Sequence, residues 1–305
     1  FDTEIIKLQE SIDVTYNKEQ LLAIRKALEN RISIITGGPG TGKTTIIKAI
    51  TKLYIKIHNL RPEEIPSQIA LLAPTGRAAK KLAESTGLPA STIHRYLKWN
   101  KEANDFQINE LNKNFQRLVI VDETSMIDTH LFDALLKGIC TNIQLILVGD
   151  ANQLPSVGPG LILSDLINSA VFTFTPLETI YRQSNNSYIP YLAQEIKNKN
   201  LSNDYLTKKD DYNFLNATGS NIRELIKMIC ERSIKKGLTD KDIQILAPMY
   251  KGENGIDHLN EILRDLFNPH STKKKEIKVG EVTYRVGDKV LQLTNDPNNG
   301  VFNGD

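Results

Sequence analysis

The segment from Gly37 to Thr44 fits the pattern Gly-x4-Gly-Lys-Thr and lies between two apolar runs of different character. The run Ile32–Ile35 before it is typical of a buried strand, and the run Thr45–Ile50 after it is typical of a helix. Glycines allow backbone N–H groups to converge on a phosphate, and the positive end of the helix dipole points to the same anion. A glycine-rich turn that only caps a helix would not require Lys and Thr in this register. The segment therefore predicts a phosphate-binding loop, or P-loop, in an α/β fold.

Three further apolar runs alternate with helical stretches along the chain: Ile69–Ala73, Leu118–Val121 and Leu145–Val148. Continuous apolar runs are expected of parallel strands that helices cover on both faces. Residues 17–30 have leucine and isoleucine at helical spacing, which predicts an amphipathic helix before the P-loop. The sequence therefore predicts an α/β protein built on a parallel sheet.

The alternation is interrupted at residues 95–116, a polar segment that contains Trp99 and Phe106. We interpret this segment as a small β-hairpin inserted in the first domain. The first domain is predicted to span residues 1–177 and the second residues 178–305. The second contains another predicted buried strand, Ile243–Ala247.

Composition limits the class of protein. Hydrophobic residues make up 40% and charged residues 24% of the 305 residues, and the net charge is +2. This charge permits a nucleic-acid partner without requiring one. No apolar run approaches the roughly 18 residues of a membrane span, so no membrane partner is expected. Cys140 and Cys230 are two scattered thiols, which favours a reducing compartment, and we expect a cytoplasmic protein.

Polar residues follow the predicted strands at the points where nucleotide chemistry would need them. Lys43 is expected to reach the β- and γ-phosphates of ATP, and the Thr44 hydroxyl to bind Mg²⁺. Asp122 follows a buried strand and is expected to hold the same Mg²⁺, while Glu123 would orient or deprotonate the attacking water. The alternative for both carboxylates is a solvated strand end. Their position after a strand in a chain with a P-loop favours the catalytic interpretation.

Two more side chains are candidates for contacts with the γ-phosphate. Gln153 follows the strand Leu145–Val148, and its amide could donate to a phosphate or accept from water. Arg182 lies at the predicted domain junction, where a guanidinium could reach across to the phosphate. The alternatives are a turn residue for Gln153 and a surface ion pair for Arg182.

Two segments indicate contacts with nucleic acid. Pro74, Thr75, Gly76 and Arg77 follow a predicted strand, and a loop of this kind can present backbone N–H groups and a hydroxyl to phosphates. Thr92 and His94 offer a second hydroxyl and a basic group. The alternative for His94 is a histidine on a helix surface.

Taken together, these motifs resemble those of superfamily 1 DNA helicases, and among them the RecD-like branch, over nearly the whole chain. Beyond the P-loop, the most specific segments are Asp122–Met126 and Val301–Asp305, which read Asp-Glu-Thr-Ser-Met and Val-Phe-Asn-Gly-Asp. The other segments that carry the resemblance are Ala73–Ala79, Thr92–Arg95, Gly149–Pro155, Tyr181–Gln183 and Ala247–Asn260.

The resemblance implies two RecA-like P-loop NTPase domains with parallel sheets, ATP and Mg²⁺ between them and single-stranded DNA across their tops. It implies 5′→3′ movement, with the inserted hairpin as a strand-separating pin at duplex–single-strand junctions. It gives Gln20 a role in reading adenine, where the alternative is an exposed residue in the first turn of a helix. It also assigns further residues: Gly38, Pro39, Gly40, Thr41, Gly42 and Thr45 to nucleotide binding and Pro248 to DNA binding.

The chain departs from the family pattern at both ends. It stops at Asp305, before a Gln-rich motif with a catalytic Arg, and only a short segment precedes Tyr16. We therefore expect a motor fragment with an incomplete second domain, in which ATP binding survives better than hydrolysis. Two arrangements of the parent protein stay open: it works alone, or it works with the subunits of a nuclease complex.

Two functions from other classes remain as alternatives. One is a P-loop switch or scaffold that binds ATP and a partner but does not translocate. The other is a kinase-type phosphotransferase, which leaves Gln153, Arg182 and Pro248 unexplained. Stimulation of ATP hydrolysis by single-stranded DNA distinguishes a helicase motor from the switch.

Overall fold

The structure is a computed structural model that describes residues 2–12, 14–179, 187–219, 221–293 and 301. The chain divides into two compact units, one within residues 1–186 and 292–305 and the other within residues 187–291. The predicted division between residues 177 and 178 stays a prediction.

The first unit is built on a six-stranded sheet in the order β3-β2-β6-β7-β1-β8, and every pair of neighbouring strands is parallel. Four of the strands coincide with the four apolar runs that the sequence indicates, so the α/β class is confirmed. The strands of this sheet are β1 (Ile32–Gly37), β2 (Ile69–Ala73), β3 (Ala90–Thr92), β6 (Leu118–Val121), β7 (Gln144–Gly149) and β8 (Thr173–Leu177).

Helices cover both faces of this sheet. Alternate residues of β7 enter opposite cores, with Ile146 and Val148 in one and Leu145 and Leu147 in the other. Because both faces are buried there, the inner strands β2 and β6 contain no polar alternation, and each of their large side chains contributes ~1.5–3 kcal/mol on burial. The helices of the unit are α1 (Asp2–Ile12), α2 (Lys18–Glu29), α3 (Lys43–Ile57), α4 (Ile65–Gln68), α5 (Gly76–Thr86), α6 (Ile93–Tyr96), α7 (Thr129–Gly138) and α8 (Ile162–Asn168).

The hairpin in the structure is shorter than the predicted one, which spans residues 95–116. Its two strands are β4 (Trp99–Asn100) and β5 (Asp105–Phe106), which pair antiparallel. Arg95 belongs to α6, and the rest of the segment consists mainly of turns. The turn of the hairpin is fixed by the Asn100 side chain, whose Oδ1 accepts from the N–H groups of residues 102 and 103 at 2.9 and 3.2 Å.

The second unit contains three helices and one antiparallel hairpin among its described residues. Its elements are α9 (Tyr188–Lys197), α10 (Asn221–Lys235), α11 (Ile256–Phe267), β9 (Glu276–Val279) and β10 (Val282–Arg285), with a 3₁₀ turn at Asn203–Leu206. The prediction of a buried strand at Ile243–Ala247 is wrong, because this segment is irregular and Leu246 is 88% exposed. An apolar run forms a strand only where a neighbouring strand completes its hydrogen bonds, and the only ladder described in this unit joins β9 to β10.

In the part of the chain that the structure describes, none of the helices combines the length and apolar composition that a membrane crossing requires.

Candidate functional site

The P-loop connects the end of β1 to the start of α3, as its sequence context predicts. Gly40 and Gly42 have φ angles of +82° and +86°, in the left-handed region that favours glycine. Gly42 is the N-cap of α3, and a Cβ atom built on it would lie 2.5 Å from Nε2 of Gln20. The loop therefore requires glycine at residue 42 for both conformation and space.

Lys43 lies folded over the loop that it belongs to. Its Nζ donates to the carbonyl oxygens of Gly37 and Gly38 at 2.6 and 2.9 Å. The buried Thr41 hydroxyl donates to the same Gly38 oxygen at 2.9 Å. An ammonium group held here can transfer its hydrogen bonds to a phosphate with a small side-chain movement. Thr44 and Thr45 lie in the first turn of α3 and are half-buried.

Gln20 connects the start of α2 to the P-loop. Its Oε1 accepts from the Asn17 N–H at 3.1 Å, and Asn17 Oδ1 accepts from the Gln20 N–H at 2.8 Å, which forms a capping box. Gln20 Nε2 donates to the Thr41 carbonyl at 3.2 Å. Gln20 is only 5% exposed, so the alternative of an exposed first-turn residue is wrong. Its role in reading adenine stays a prediction.

Asp122 lies directly after β6 and has a perturbed pKa. Its backbone N–H donates to the Leu72 carbonyl, and its Oδ1 accepts from the Glu123 N–H, both at 2.9 Å. Burial raises the pKa of Asp122 from 3.8 to about 6, and the neighbouring Glu123 carboxylate adds to the rise. A half-buried carboxyl group with a raised pKa is stabilised in its charged form by a cation close to it.

Glu123 has two features that are typical of functional residues. Its backbone is left-handed, with φ +52° and ψ +40°, which costs a non-glycine residue ~1–3 kcal/mol. Its Oε2 is buried and makes no hydrogen bond to any other described atom. A buried carboxylate oxygen is costly without a partner, so Glu123 is suited to accept a hydrogen bond from a ligand or water.

Gln153 lies in the turn after β7, where its N–H donates to the Asp150 carbonyl at 3.1 Å and its side chain is exposed. The sequence interpretation missed two residues that hold this turn, one through bonds within it and one through a bond to β1. Asp150 is 4% exposed and its Oδ1 accepts from the Asn152 N–H, while Thr36 Oγ1 accepts from the N–H of residue 151 at 3.3 Å. The sequence did contain a signal for Asp150, because it is a carboxylate that directly follows a buried strand, as Asp122 is. Arg182 lies outside the described residues.

The two candidate DNA-contacting hydroxyls are helix N-caps. Thr75 Oγ1 accepts from the Ala78 N–H at the start of α5, and Thr92 Oγ1 accepts from the Arg95 N–H at the start of α6, both at 3.2 Å. In this arrangement each hydroxyl oxygen accepts from a backbone N–H, and the hydroxyl hydrogen can still be donated to an anion such as a phosphate. Pro74 and Gly76 are half-buried beside Thr75, and Arg77 is exposed. Pro248 is exposed in the second unit.

His94 packs against the hairpin. Its ring lies 5.7 Å from the ring of Phe106 and 6.1 Å from that of Trp99, and the last two are 4.7 Å apart. Burial lowers the pKa of His94, and Asp128 opposes this effect. His94 is exposed on α6 and its ring also contacts both aromatic rings of the hairpin, so the alternative of a histidine on a helix surface stays open beside the predicted DNA contact.

The topology brings most of these residues to one edge of the sheet. Because all six strands are parallel, their carboxyl ends lie along the same edge. From β3 to β1, this edge carries Thr92, Thr75, Asp122, Gln153 and the P-loop. The predicted DNA contacts thus lie at one end of the edge and the predicted nucleotide contacts at the other, with the β6 carboxylates between them.

The residues present fit a nucleotide-bound Mg²⁺ ion. Oxygen ligands from a hydroxyl and a carboxylate, such as Thr44 and Asp122, suit this ion, which keeps its remaining positions for water and phosphate oxygens. No group of three or more His, Cys, Asp or Glu side chains that could hold a metal occurs among the described residues. A P-loop site needs none, because the nucleotide supplies the other ligands.

Two family models match the chain. One is an AAA domain over residues 20–159, and the other is the SH3 domain of ATP-dependent RecD-like DNA helicases over residues 259–305. The first range contains the P-loop, Asp122 and Gln153. The second contains β9 and β10 and falls within the predicted second domain.

Two curated proteins are similar over 94% of this chain. The ATP-dependent RecD2 DNA helicase of Deinococcus radiodurans is 34% identical over 288 residues, which are 37% of its length. The RecBCD enzyme subunit RecD of Haemophilus influenzae is 27% identical over an alignment 366 positions long, gaps included, which covers 56% of its length. The chain therefore spans less than two thirds of either relative.

A solved structure shares the fold. It comes from a study of DNA unwinding at forked duplex DNA by two coordinating Pif1 helicases, with a TM-score of 0.51 and 16% sequence identity over 95% of this chain and 70% of that one. At this identity the likeness concerns the fold alone. The RecD-like SH3 match and the two RecD relatives agree with the motifs on the sheet edge, and the chain is similar to RecD-like DNA helicases over most of its length.

Proposed function

We propose that this chain is the motor of an ATP-dependent DNA helicase, which moves 5′→3′ on single-stranded DNA and uses Mg²⁺ with ATP. The observation that carries the proposal is the order of residues along the sheet edge. Hydroxyl and basic groups at β3 and β2 lie on the same edge as the P-loop, and the β6 carboxylates separate them. A motor needs this proximity, because each state of the nucleotide must change the contacts with DNA.

At the nucleotide end, each side chain has a distinct role in the proposal. Lys43 binds the β- and γ-phosphates, while Thr44 and Asp122 hold Mg²⁺, which would neutralise charge on the phosphate oxygens. Glu123 accepts a proton from the water whose oxygen attacks the γ-phosphorus, as the bond to the ADP oxygen breaks. Gln153 orients this water or contacts the γ-phosphate, and Arg182 remains a proposed γ-phosphate contact.

At the DNA end, Thr75, Arg77, Thr92 and His94 are proposed to bind phosphates, since hydroxyl and basic groups are common donors to phosphate oxygens. The hairpin β4–β5 is proposed to meet the duplex at a junction with single-stranded DNA. Pro248 is proposed as a DNA contact in the second unit. One of the relatives is named as a subunit of the RecBCD enzyme, so subunits of a nuclease complex are proposed partners of the whole protein.

Stimulation of ATP hydrolysis by single-stranded DNA tests the proposal against a switch or scaffold that binds ATP without translocating. Turnover is measured with and without an unstructured oligonucleotide, in a protein that contains this chain and its natural flanking sequence. A helicase motor should be stimulated, and it should unwind a duplex with a 5′ tail but not one with a 3′ tail. Tight ATP binding without stimulation would favour the switch, and unwinding from a 3′ tail would refute the polarity.

A further inference from the structure

Glu19, in the first turn of α2, makes long-range hydrogen bonds that no motif predicts. Its Oε2 accepts from the backbone N–H groups of Glu178 and Thr179 at 2.9 and 3.2 Å. Its Oε1 accepts from the Thr179 hydroxyl at 3.3 Å. One carboxylate therefore holds two adjacent amides and a hydroxyl from a segment about 160 residues away in the chain.

The segment that Glu19 holds is the continuation of β8. This strand pairs with β1, and its last residue, Leu177, lies opposite Gly37 at the start of the P-loop. The contact is close, because a Cβ atom built on Gly37 would lie 2.9 Å from the Leu177 Cβ. Residues 178 and 179 directly follow the last residue of this strand and still belong to the first unit.

The residue next to Glu19 contacts the P-loop itself. Gln20 Nε2 donates to the Thr41 carbonyl, as described above. Two consecutive residues at the start of α2 therefore make these contacts. Gln20 binds the P-loop, and Glu19 binds the residues that follow β8. A shift of the P-loop on nucleotide binding would reach residues 178 and 179 through two consecutive residues of one helical turn.

We propose that Glu19 is a positioning residue, which couples nucleotide binding at the P-loop to the backbone that directly follows β8. The inference rests on the proposed motor function. Glu19 touches neither phosphate nor DNA in this assignment, so its loss should lower turnover and leave the KM for ATP nearly unchanged. The simpler alternative is an acidic residue that only stabilises the positive end of the α2 dipole.

The test compares three variants of the full protein: Glu19→Ala, Glu19→Gln and the control Glu29→Ala. Gln keeps an oxygen that can accept from the two amides but has no charge, so it separates acceptor geometry from the dipole effect. Glu29 is an exposed residue at the other end of the same helix. Circular dichroism and thermal unfolding establish that each variant is folded.

The first readout is hydrogen exchange at the amides of residues 178 and 179. In Glu19→Ala, exchange should be at least about tenfold faster, since each amide loses a bond to a charged acceptor. Glu19→Gln should lie closer to the wild type than Glu19→Ala does, and Glu29→Ala should match the wild type. Unchanged exchange in Glu19→Ala would overturn the proposal, and equal effects of Ala and Gln would favour the dipole alternative over it.

The second readout is DNA-stimulated ATP hydrolysis. Glu19→Ala should lower kcat about tenfold with the KM for ATP within about twofold of the wild type, and Glu19→Gln should recover part of the loss. A wild-type kcat would overturn the positioning role, and so would a loss expressed mainly in KM.

The third readout separates this inference from the proposed function. A non-hydrolysable ATP analogue should slow exchange at residues 178 and 179 further in the wild type but not in Glu19→Ala. If DNA does not stimulate ATP hydrolysis by the wild type, the proposed motor function is refuted. The exchange measurement still tests whether nucleotide binding is coupled to residues 178 and 179. An analogue that leaves exchange unchanged in the wild type would overturn it.

Discussion

Three charged side chains at the strand ends, Lys43, Asp122 and Glu123, are each held in a state that nucleotide binding would change. Lys43 donates to carbonyl oxygens of its own loop, Asp122 has a raised pKa, and Glu123 has a buried oxygen without a hydrogen bond among the described residues. Phosphate and a cation would satisfy all three. At this scale, the site consists of groups whose hydrogen bonds or protonation a bound ligand would change.

Replacing Lys43 by Ala should abolish ATP hydrolysis without unfolding the protein. The bonds that the ammonium makes to Gly37 and Gly38 are partly exposed, so their loss costs little stability, whereas the phosphates lose their cation. Turnover should fall at least about a hundredfold. Steady-state kinetics measures this fall, and Lys52→Ala on the same helix is the control that should keep activity. Turnover at the wild-type level in Lys43→Ala would refute the P-loop assignment.

Replacing Glu123 by Gln should slow hydrolysis by roughly 10²–10⁴-fold and preserve ATP binding, because the amide keeps the shape but accepts no proton. Single-turnover hydrolysis and binding of a fluorescent ATP analogue measure the two effects. Glu84→Gln, on the exposed face of α5, should resemble the wild type. If Glu123→Gln loses ATP affinity as severely as Lys43→Ala does, Glu123 holds the structure or the metal instead.

The raised pKa of Asp122 predicts a pH-dependent stability of the ligand-free protein. Its folded pKa of about 6 lies above the ordinary value of 3.8, so the folded state binds the proton more tightly than the unfolded state. This contribution is present in full below about pH 4 and is lost as the pH rises through about 6. The free energy of unfolding, measured with urea in EDTA across this range, should decline with rising pH. In Asp122→Asn, the part of the decline that comes from Asp122 should be absent. Asp165→Asn, an exposed carboxylate of the same unit, should decline like the wild type, and an unchanged slope in Asp122→Asn would contradict the assignment.

At the scale of elements, the hairpin β4–β5 is attached by its base and exposed at its tip. Trp99 and Phe106 contact each other and His94, which supports the interpretation that the two aromatics fix the hairpin to the first unit. Trp99 is still 40% exposed and Lys98 and Lys101 beside it are exposed, so the same element retains a surface for a base pair or a phosphate.

Replacing residues 101–104 by a Gly-Ser turn should reduce duplex unwinding and leave DNA-stimulated hydrolysis in place. The replaced residues are exposed, so the aromatic base that orients the hairpin is preserved. Unwinding of a forked duplex and ATP turnover are measured on the same preparation. The same replacement of the exposed turn at residues 61–64 is the control. A parallel loss of both activities would show a structural role, and undiminished unwinding would show that the hairpin is not the pin.

At the scale of the whole molecule, DNA should be bound mainly through its phosphates. The proposed contacts at β2 and β3 are hydroxyl and basic groups, and the net charge of +2 supplies little further attraction. With about three to four phosphate contacts, the logarithm of affinity should fall with the logarithm of salt concentration at a slope of about −2 to −3. Titration of several single-stranded sequences of equal length over a salt series measures it. A flat salt response, or strong selectivity among the sequences, would contradict phosphate binding.

The sequence by itself determined the α/β class of the first unit, four of its six strands and the residues at their ends. Periodicity identified β1, β2, β6, β7 and α2, since apolar runs buried on both faces leave a local pattern. It also placed the P-loop, Asp122 and Gln153 on one edge, because parallel strands deliver their carboxyl ends to the same side. The same reasoning failed at Ile243–Ala247, where an apolar run has no neighbouring strand to pair with among the described residues.

Only the tertiary structure decided how these residues are held. It revealed that Gln20 binds the P-loop, that Glu19 binds residues 178 and 179, and that Thr75 and Thr92 cap helices. It also decided the left-handed backbone of Glu123 and the raised pKa of Asp122. Contacts between residues 21 to 160 positions apart set the bonds of Gln20 and Glu19, and burial sets the raised pKa of Asp122. A local sequence pattern carries no record of them, because it reports which face of an element is apolar and not which element will cover it.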